Sequence, residues 1–269
     1  MMALLLGLLL AIQAATARTA LAVVLGPQNQ RIVDVGPDDF VVREANEPRE
    51  VLDTRIADYP VAVLVDDCVT DPREFDAIRR AAARFIARIG QRPIALGTLT
   101  RPDALVASFD DGRDQAAGRL PGLAPRPDAP RRVLQAVALA ARAIRDTGAP
   151  FSAIVVVSAA PAAVTQGSGD ELTSIVASGA AVHVIASRPP GPAQGGDLVR
   201  ELSDQTHGHF TTIYSMASYG AALDHLADEL STEILIEYLA GLGTNVPAAS
   251  EVTLGIRIPG TRVVGMGVR

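Results

Sequence analysis

Lysine is absent from this 269-residue sequence, so all 24 basic side chains are arginine. With 30 acidic residues the formal net charge is −6 and the isoelectric point is near 5.2. There is no basic footprint of the kind nucleic acid selects. Cysteine occurs once, at Cys68, which excludes an intrachain disulfide. The lone thiol reads as a small buried apolar group, with a reactive thiol as the other reading. Apolar runs of membrane-crossing length are lacking too: residues 1–17 are apolar but fall short of the roughly 20 residues a spanning helix needs. Gly167-Ser168-Gly169 is followed by no Lys-Ser/Thr pair and is therefore no phosphate loop.

What the chain has in quantity is apolar side chains, 48% of all residues at a mean hydropathy of +0.24. That is enough to bury a full core, and the length fits one α/β domain with a small annex. Residues 1–17 end in Ala15-Thr16-Ala17, the small-x-small pattern of a secretory cleavage site, and imply export with a mature start at Arg18. An uncleaved anchor is the alternative. No other membrane insertion is expected, and the location implied is secreted or periplasmic.

The organising stretch is residues 60–71, Pro-Val-Ala-Val-Leu-Val-Asp-Asp-Cys-Val-Thr-Asp. Its continuous apolar run, largely β-branched, predicts a central parallel strand covered on both faces. Ligands of open α/β sheets bind outside the carboxyl ends of such strands, where Asp66, Asp67, Cys68, Thr70 and Asp71 stand. Asp71-Pro72-Arg73-Glu74 then starts a helix, with Asp as N-cap, Pro in the first turn and Glu placed to reach back. Phe75, Ile78, Ala82, Phe85 and Ile89 recur at helical spacing, with Arg79, Arg80, Arg84 and Arg88 between them as a solvated face or, alternatively, a partner patch. Gly90 stops the helix.

Before that stretch, strand-like runs at residues 19–25 and 39–43 predict a hairpin or meander outside the main sheet. After it come strands at 94–99 and 104–109, a surface loop from 110 to 130, and a helix over 131–145. Strand and helix then alternate: strand 153–157, helix 170–178, strand 180–186, helix 197–206, strand 210–214 and helix 218–231. The alternation predicts a parallel sheet with helices on both faces. Three further strands follow, at 234–238, 252–258 and 262–268. His207 and His209 lack a third ligand at metal spacing and read as loop residues, with His183 and His225 on distant elements.

Asp66-x-Cys68-x-Thr70 resembles the Asp-x-Ser-x-Ser arm of the metal-ion-dependent adhesion site in von Willebrand factor type A domains, and its flanks resemble a bacterial secreted branch of that family. Asp38-Asp39-Phe40-Val41-Val42-Arg43-Glu44 resembles that branch's Asp-Phe-x-Val-x-Glu segment. Residues 202–210 resemble its Leu-Ala-x-x-Thr-Gly-Gly-x-Phe stretch, with His207 at the first glycine. The resemblance covers nearly all of the chain after residue 17. It implies a doubly wound α/β domain over 59–231, mostly parallel with helices on both faces, and a small β module built from segments 18–58 and 232–269.

In that family the site holds Mg²⁺ through oxygen ligands from three loops. Here Asp66 and the Thr70 hydroxyl remain, Cys68 replaces a serine, Arg131 stands where a threonine is expected and Ser158 where an aspartate is. A neutral thiol is a poor Mg²⁺ ligand, so the resemblance implies a degenerate adhesion-site rim of Asp66, Cys68, Thr70, Arg131 and Ser158, with no metal and no cofactor. A rearranged site using Asp67, Asp71 or Asp110 is the alternative. A guanidinium from Arg131 or Arg132 is the expected companion of Asp66, since a buried carboxylate alone is costly; backbone amides and water are the other possibility. No catalytic constellation stands out around Ser158. The function expected is an exported, non-enzymatic module that binds a protein partner; a scaffolding envelope protein and a hydrolase are the alternatives.

Overall fold

The computed structural model describes residues 16–160, 169–187, 198–241 and 252–269. The expected export segment lies outside these residues except for its last two. In chain order the elements are β1 (Ala17–Leu25), β2 (Arg31–Ile32), β3 (Phe40–Glu44), β4 (Glu47–Arg49), β5 (Val51–Ile56), β6 (Val61–Val65), α1 (Pro72–Arg88), β7 (Ile94–Thr98), α2 (Arg113–Arg119), α3 (Val133–Asp146), β8 (Ala153–Ser158), α4 (Gly169–Ala177), β9 (Ala181–Ser187), α5 (Leu198–Gln205), β10 (Phe210–Ile213), α6 (Ser218–Leu230), β11 (Ile234–Leu239), β12 (Val252–Ile256) and β13 (Arg262–Val268). They form two units: Ile56–Glu233, and the segments that precede and follow it.

Residues 56–233 carry a five-stranded parallel sheet in the order β10-β9-β8-β6-β7. Every residue of β6, β7 and β8 is buried, because helices cover both faces and leave no solvent side on which polar residues could alternate. Val63 sits opposite Leu96 on one side and Val155 on the other. Ala62 and Leu64 face a cluster built by α3, Ile175 of α4 and Val199 and Leu202 of α5. On α1, Phe75, Ile78, Ala82 and Phe85 are buried as their spacing requires.

The start of α1 follows its sequence signal: the Asp71 side chain accepts from the Arg73 amide at 2.9 Å, and Pro72 opens the first turn. Glu74 does not reach back to the cap, however; its carboxylate takes the Tyr219 hydroxyl at 3.1 Å. The arginines of α1 differ among themselves. Arg79 lies over the Phe75 ring and donates to the carbonyls of Pro121 and Leu123. Arg84 and Arg88 bridge to Asp224 and Asp228 of α6.

Two expectations on this unit are corrected. The strand expected at 104–109 is reduced to a single bridge between Leu96 and Ala107. Directly after it, the Asp111 carboxylate draws in the Ser108 amide and hydroxyl and turns the chain out of the sheet. The loop expected from 110 to 130 contains α2, whose first residue, Arg113, caps the carbonyls of Ile86 and Ala87 at the end of α1.

The second unit has two antiparallel sheets, β13-β1-β11-β5 with β2 beside β1, and β12-β3-β4. It is a small β module from both ends of the chain. The runs at 19–25 and 39–43 do not pair with each other. Instead β1 lies between β11 and β13, and β3 turns back into β4 through Ala45 and Asn46, both at positive φ, as two-residue hairpin turns demand. Strand β5 had no counterpart in the sequence reading. Ala20, Ala22, Val24, Phe40, Val42, Ile236 and Tyr238 form the core. Inside it Glu44 is buried and held by Arg18, by Arg49 at 3.0 Å and by the Gly241 amide at 2.9 Å. Burial alone would raise the Glu44 carboxyl; the amide and the two guanidiniums outweigh it and hold the group below its ordinary value.

Candidate functional site: the rim at Asp66

Strand β6 ends in two buried carboxylates, Asp66 at 0% and Asp67 at 1% exposure. The Asp66 amide still donates to Val157 in the sheet ladder, so its side chain projects from the last rung into the crevice. Oδ1 accepts the Cys68 amide at 3.0 Å. Oδ2 accepts Arg131 Nε at 2.8 Å, the Ser158 hydroxyl at 2.9 Å and the Ala159 amide at 3.0 Å. Four donors, one of them a guanidinium, meet the desolvation cost of burying this anion.

Arg131 reaches the carboxylate from the residue before the N-cap of α3 and also donates through Nη2 to the Cys68 carbonyl at 3.0 Å. Arg132, the other candidate, is the N-cap, and its amide bonds the Leu99 carbonyl. The first loop is fastened to the second at two more points. Cys68 Sγ donates to the Ala129 carbonyl at 3.0 Å, and the Arg126 amide donates to the Asp67 carbonyl. Cys68 is thus half-buried and hydrogen-bonded rather than a buried apolar filler. Burial pushes its thiol up, and Asp66, Asp67 and Asp128 push the same way against Arg131, so the neutral thiol is favoured over the nucleophilic thiolate.

Thr70, expected on the rim, is exposed and is not among the four donors to the Asp66 carboxylate. Its part as a hydroxyl near the carboxylates falls to Ser158 and Thr100. Thr100 donates its amide and hydroxyl to the two oxygens of Asp67, at 3.0 and 2.6 Å. Asp71 is spent on the helix cap, and Asp110 is exposed on a short turn. The Tyr219 hydroxyl lies 3.1 Å from both Glu74 and the Ser158 carbonyl; burial, then Glu74, raises its pKa far above the ordinary value. Asp67–Thr100 and Tyr219–Glu74 were not legible as pairs because each joins residues distant in sequence.

Among the described residues no group of three His, Cys, Asp or Glu side chains could hold a metal ion. At Asp66 a guanidinium stands on Oδ2 at 2.8 Å, and Cys68 offers a thiol, a poor ligand for the hard Mg²⁺ ion.

No family model matches the chain, and no curated protein sequence does. Solved structures do match it. A von Willebrand factor type A protein from Catenulispora acidiphila superposes with a TM-score of 0.51 at 13% identity, over 96% of this chain and 74% of that one. The fold is that of a von Willebrand factor type A domain. Proximal thread matrix protein 1 from the mussel byssus, solved with a zinc-occupied MIDAS motif, superposes at 0.53 and 10% identity over 70% of this chain and 49% of that one. A second crystal form of the byssus protein gives 0.52 at 11% identity over 65% of this chain.

The backbone explains the glycine-like positions in the stretch at 202–210. His207 adopts φ +59, the left-handed conformation that favours glycine. At Gly208 an added Cβ would lie 2.0 Å from the Val182 carbonyl oxygen, so only glycine fits against β9. The histidines expected to be far apart are not all so: the rings of His183 and His209 are 5.7 Å apart.

Proposed function

We propose that this chain is an exported, non-enzymatic, metal-independent protein-binding module that engages its partner through the rim around Asp66. The observation that carries the reading is the Arg131–Asp66 pair, a fixed internal cation at the carboxylate where the family resemblance implies a Mg²⁺ site. A guanidinium is permanently charged and presents a rigid fork, so the rim keeps one electrostatic state without an ion to lose. The hydroxyl of Ser158 is engaged with Asp66 and the Ala160 carbonyl, which supports a positioning part over a nucleophilic one. Among the described residues no helix is long and apolar enough to cross a membrane.

The test compares proteins captured from envelope fractions by the wild type and by a variant with residues 110–132 replaced. Loss of specific partners from the variant is expected, and identical sets would overturn the rim reading. Millimolar Mg²⁺ or Mn²⁺ should leave the melting temperature of the wild type unchanged, whereas a ligand at a hundredfold over its Kd would stabilise by about 2.7 kcal/mol. Export is checked separately: N-terminal sequencing of the extracellular or periplasmic protein should start at Arg18, and a chain retained in the cytoplasm with Met1 would contradict it.

A further inference from the structure

A cleft of about 690 Å³ runs between α1 and the start of α6, and Asp66 is not among its lining residues. Its floor is small and apolar, with Ala77, Ala81 and Ala217, and its α1 wall carries Arg73, Arg80 and Arg84. Arg84 is anchored: its guanidinium holds Asp224 and lies against Gly220, where an added Cβ would come within 2.8 Å of Nη2. Arg73 and Arg80 are exposed and, among the described residues, meet no carboxylate. The nearby acidic groups are committed elsewhere. Asp71 caps α1, Glu74 takes the Tyr219 hydroxyl, Asp76 pairs with Arg79, and Asp228 pairs with Arg88.

Arg73 stands in the first turn of α1, where the helix dipole disfavours a cation, and it gains nothing there from the fold. Across the cleft stands Ala217, the N-cap of α6, which offers no side-chain cap, while the Ser218 amide is taken by the Ser215 carbonyl at 3.0 Å. In a chain of net charge −6, this places two guanidiniums that meet no carboxylate among the described residues beside an apolar floor.

We propose that this cleft binds an extended acidic segment of a partner protein, with carboxylates on Arg73 and Arg80 and a small apolar side chain on the alanine floor. The spacing selects the segment. Seven residues of helix separate the two arginines by about 10.5 Å, and a polyproline II strand brings side chains of one face back every three residues, at about 9.3 Å. A Glu-x-x-Glu segment in that conformation therefore matches both guanidiniums at once. The apolar floor between the two arginines suits a peptide with a small apolar side chain better than a lone phosphate.

The test is fluorescence anisotropy with labelled Glu-Pro-Ala-Glu-Pro-Ala-Glu and its glutamine counterpart, on the full chain. The glutamate peptide should bind, more weakly at high salt, and the glutamine peptide should not. Arg73→Ala/Arg80→Ala should weaken binding by about tenfold or more, as expected for loss of two charged contacts, with an unchanged melting temperature. Ala77→Leu, which fills the floor and keeps the charges, should weaken it as well. Failure of the glutamate peptide to bind at millimolar concentration, equal binding of both peptides, or equal binding by the double variant would overturn the proposal. So would arginine-dependent binding of pyrophosphate or phosphatidylglycerol vesicles in place of the peptide. None of these outcomes bears on the rim at Asp66, which is tested by the loop replacement.

Discussion

Asp66 is the residue on which the rim depends, and its four donors are unequal. Two are backbone amides that only proline would remove, one is a hydroxyl, and one carries charge. Removing a partner from a buried ion pair costs about 3–5 kcal/mol when the remaining charge is stranded. Here three donors stay and the Arg131 side chain is 23% exposed, so Arg131→Ala should destabilise the protein by only about 1–3 kcal/mol. Asp66→Asn in that background should recover part of the loss. Urea unfolding of the two single variants and the double variant measures the coupling, and a value near zero would show that the pair does not hold the rim. The need for compensation at Asp66 was legible from its place at the end of an apolar strand, while its division between a guanidinium and backbone amides was left open. The choice of Arg131 over Arg132 was not legible, because it depends on where α3 takes its N-cap, a one-residue difference that helical periodicity leaves open.

At the scale of elements, sequence and structure agree wherever burial fixes the pattern. Strands β6 and β8 and helices α1 and α6 carry apolar residues at positions the sheet must cover. The disagreements lie at the edges. The segment 104–109 has strand-like residues but yields to the Asp111 turn, and α2 is a seven-residue helix with only Ala116 buried, too little amphipathic signal to read. Strand β9 shows another limit: His183 faces the core at 4% exposure, and among the described residues nothing hydrogen-bonds its Nδ1. Burial, reinforced by His209, lowers its pKa to about 3. The unfolded chain binds a proton on this imidazole below about pH 6.5, while the folded chain stays neutral until about pH 3. The unfolded state holds the extra proton throughout that window, so this group makes stability fall as pH falls, by up to about 1.4 kcal/mol per pH unit. His183→Val should flatten the dependence of unfolding free energy on pH between 6 and 4. An unchanged slope would remove His183 as its source.

For the whole molecule, the two units differ in how their parts are joined along the chain. Residues 56–233 contain their own parallel sheet and helices, and the Ala57 amide meets the Glu233 carbonyl at 2.8 Å. Beside that meeting point, Tyr59 donates to the Glu233 carboxylate, with the Arg92 guanidinium over its ring at 4.0 Å. Expressed alone, residues 56–233 should give a single cooperative unfolding transition by circular dichroism; a non-cooperative melt would show that they need the flanking strands. The other unit has no such independence, since β1 needs both β11 and β13 as neighbours. During synthesis β1 can pair early only with the short β2, and its neighbours β11 and β13 reach it after residues 56–233 have been made. The loop to be closed is long, but closure entropy grows only slowly with length, and a folded middle that already holds residues 57 and 233 together shortens it further. The topology thus favours an order of assembly in which residues 56–233 fold first and the strands on either side of them close last.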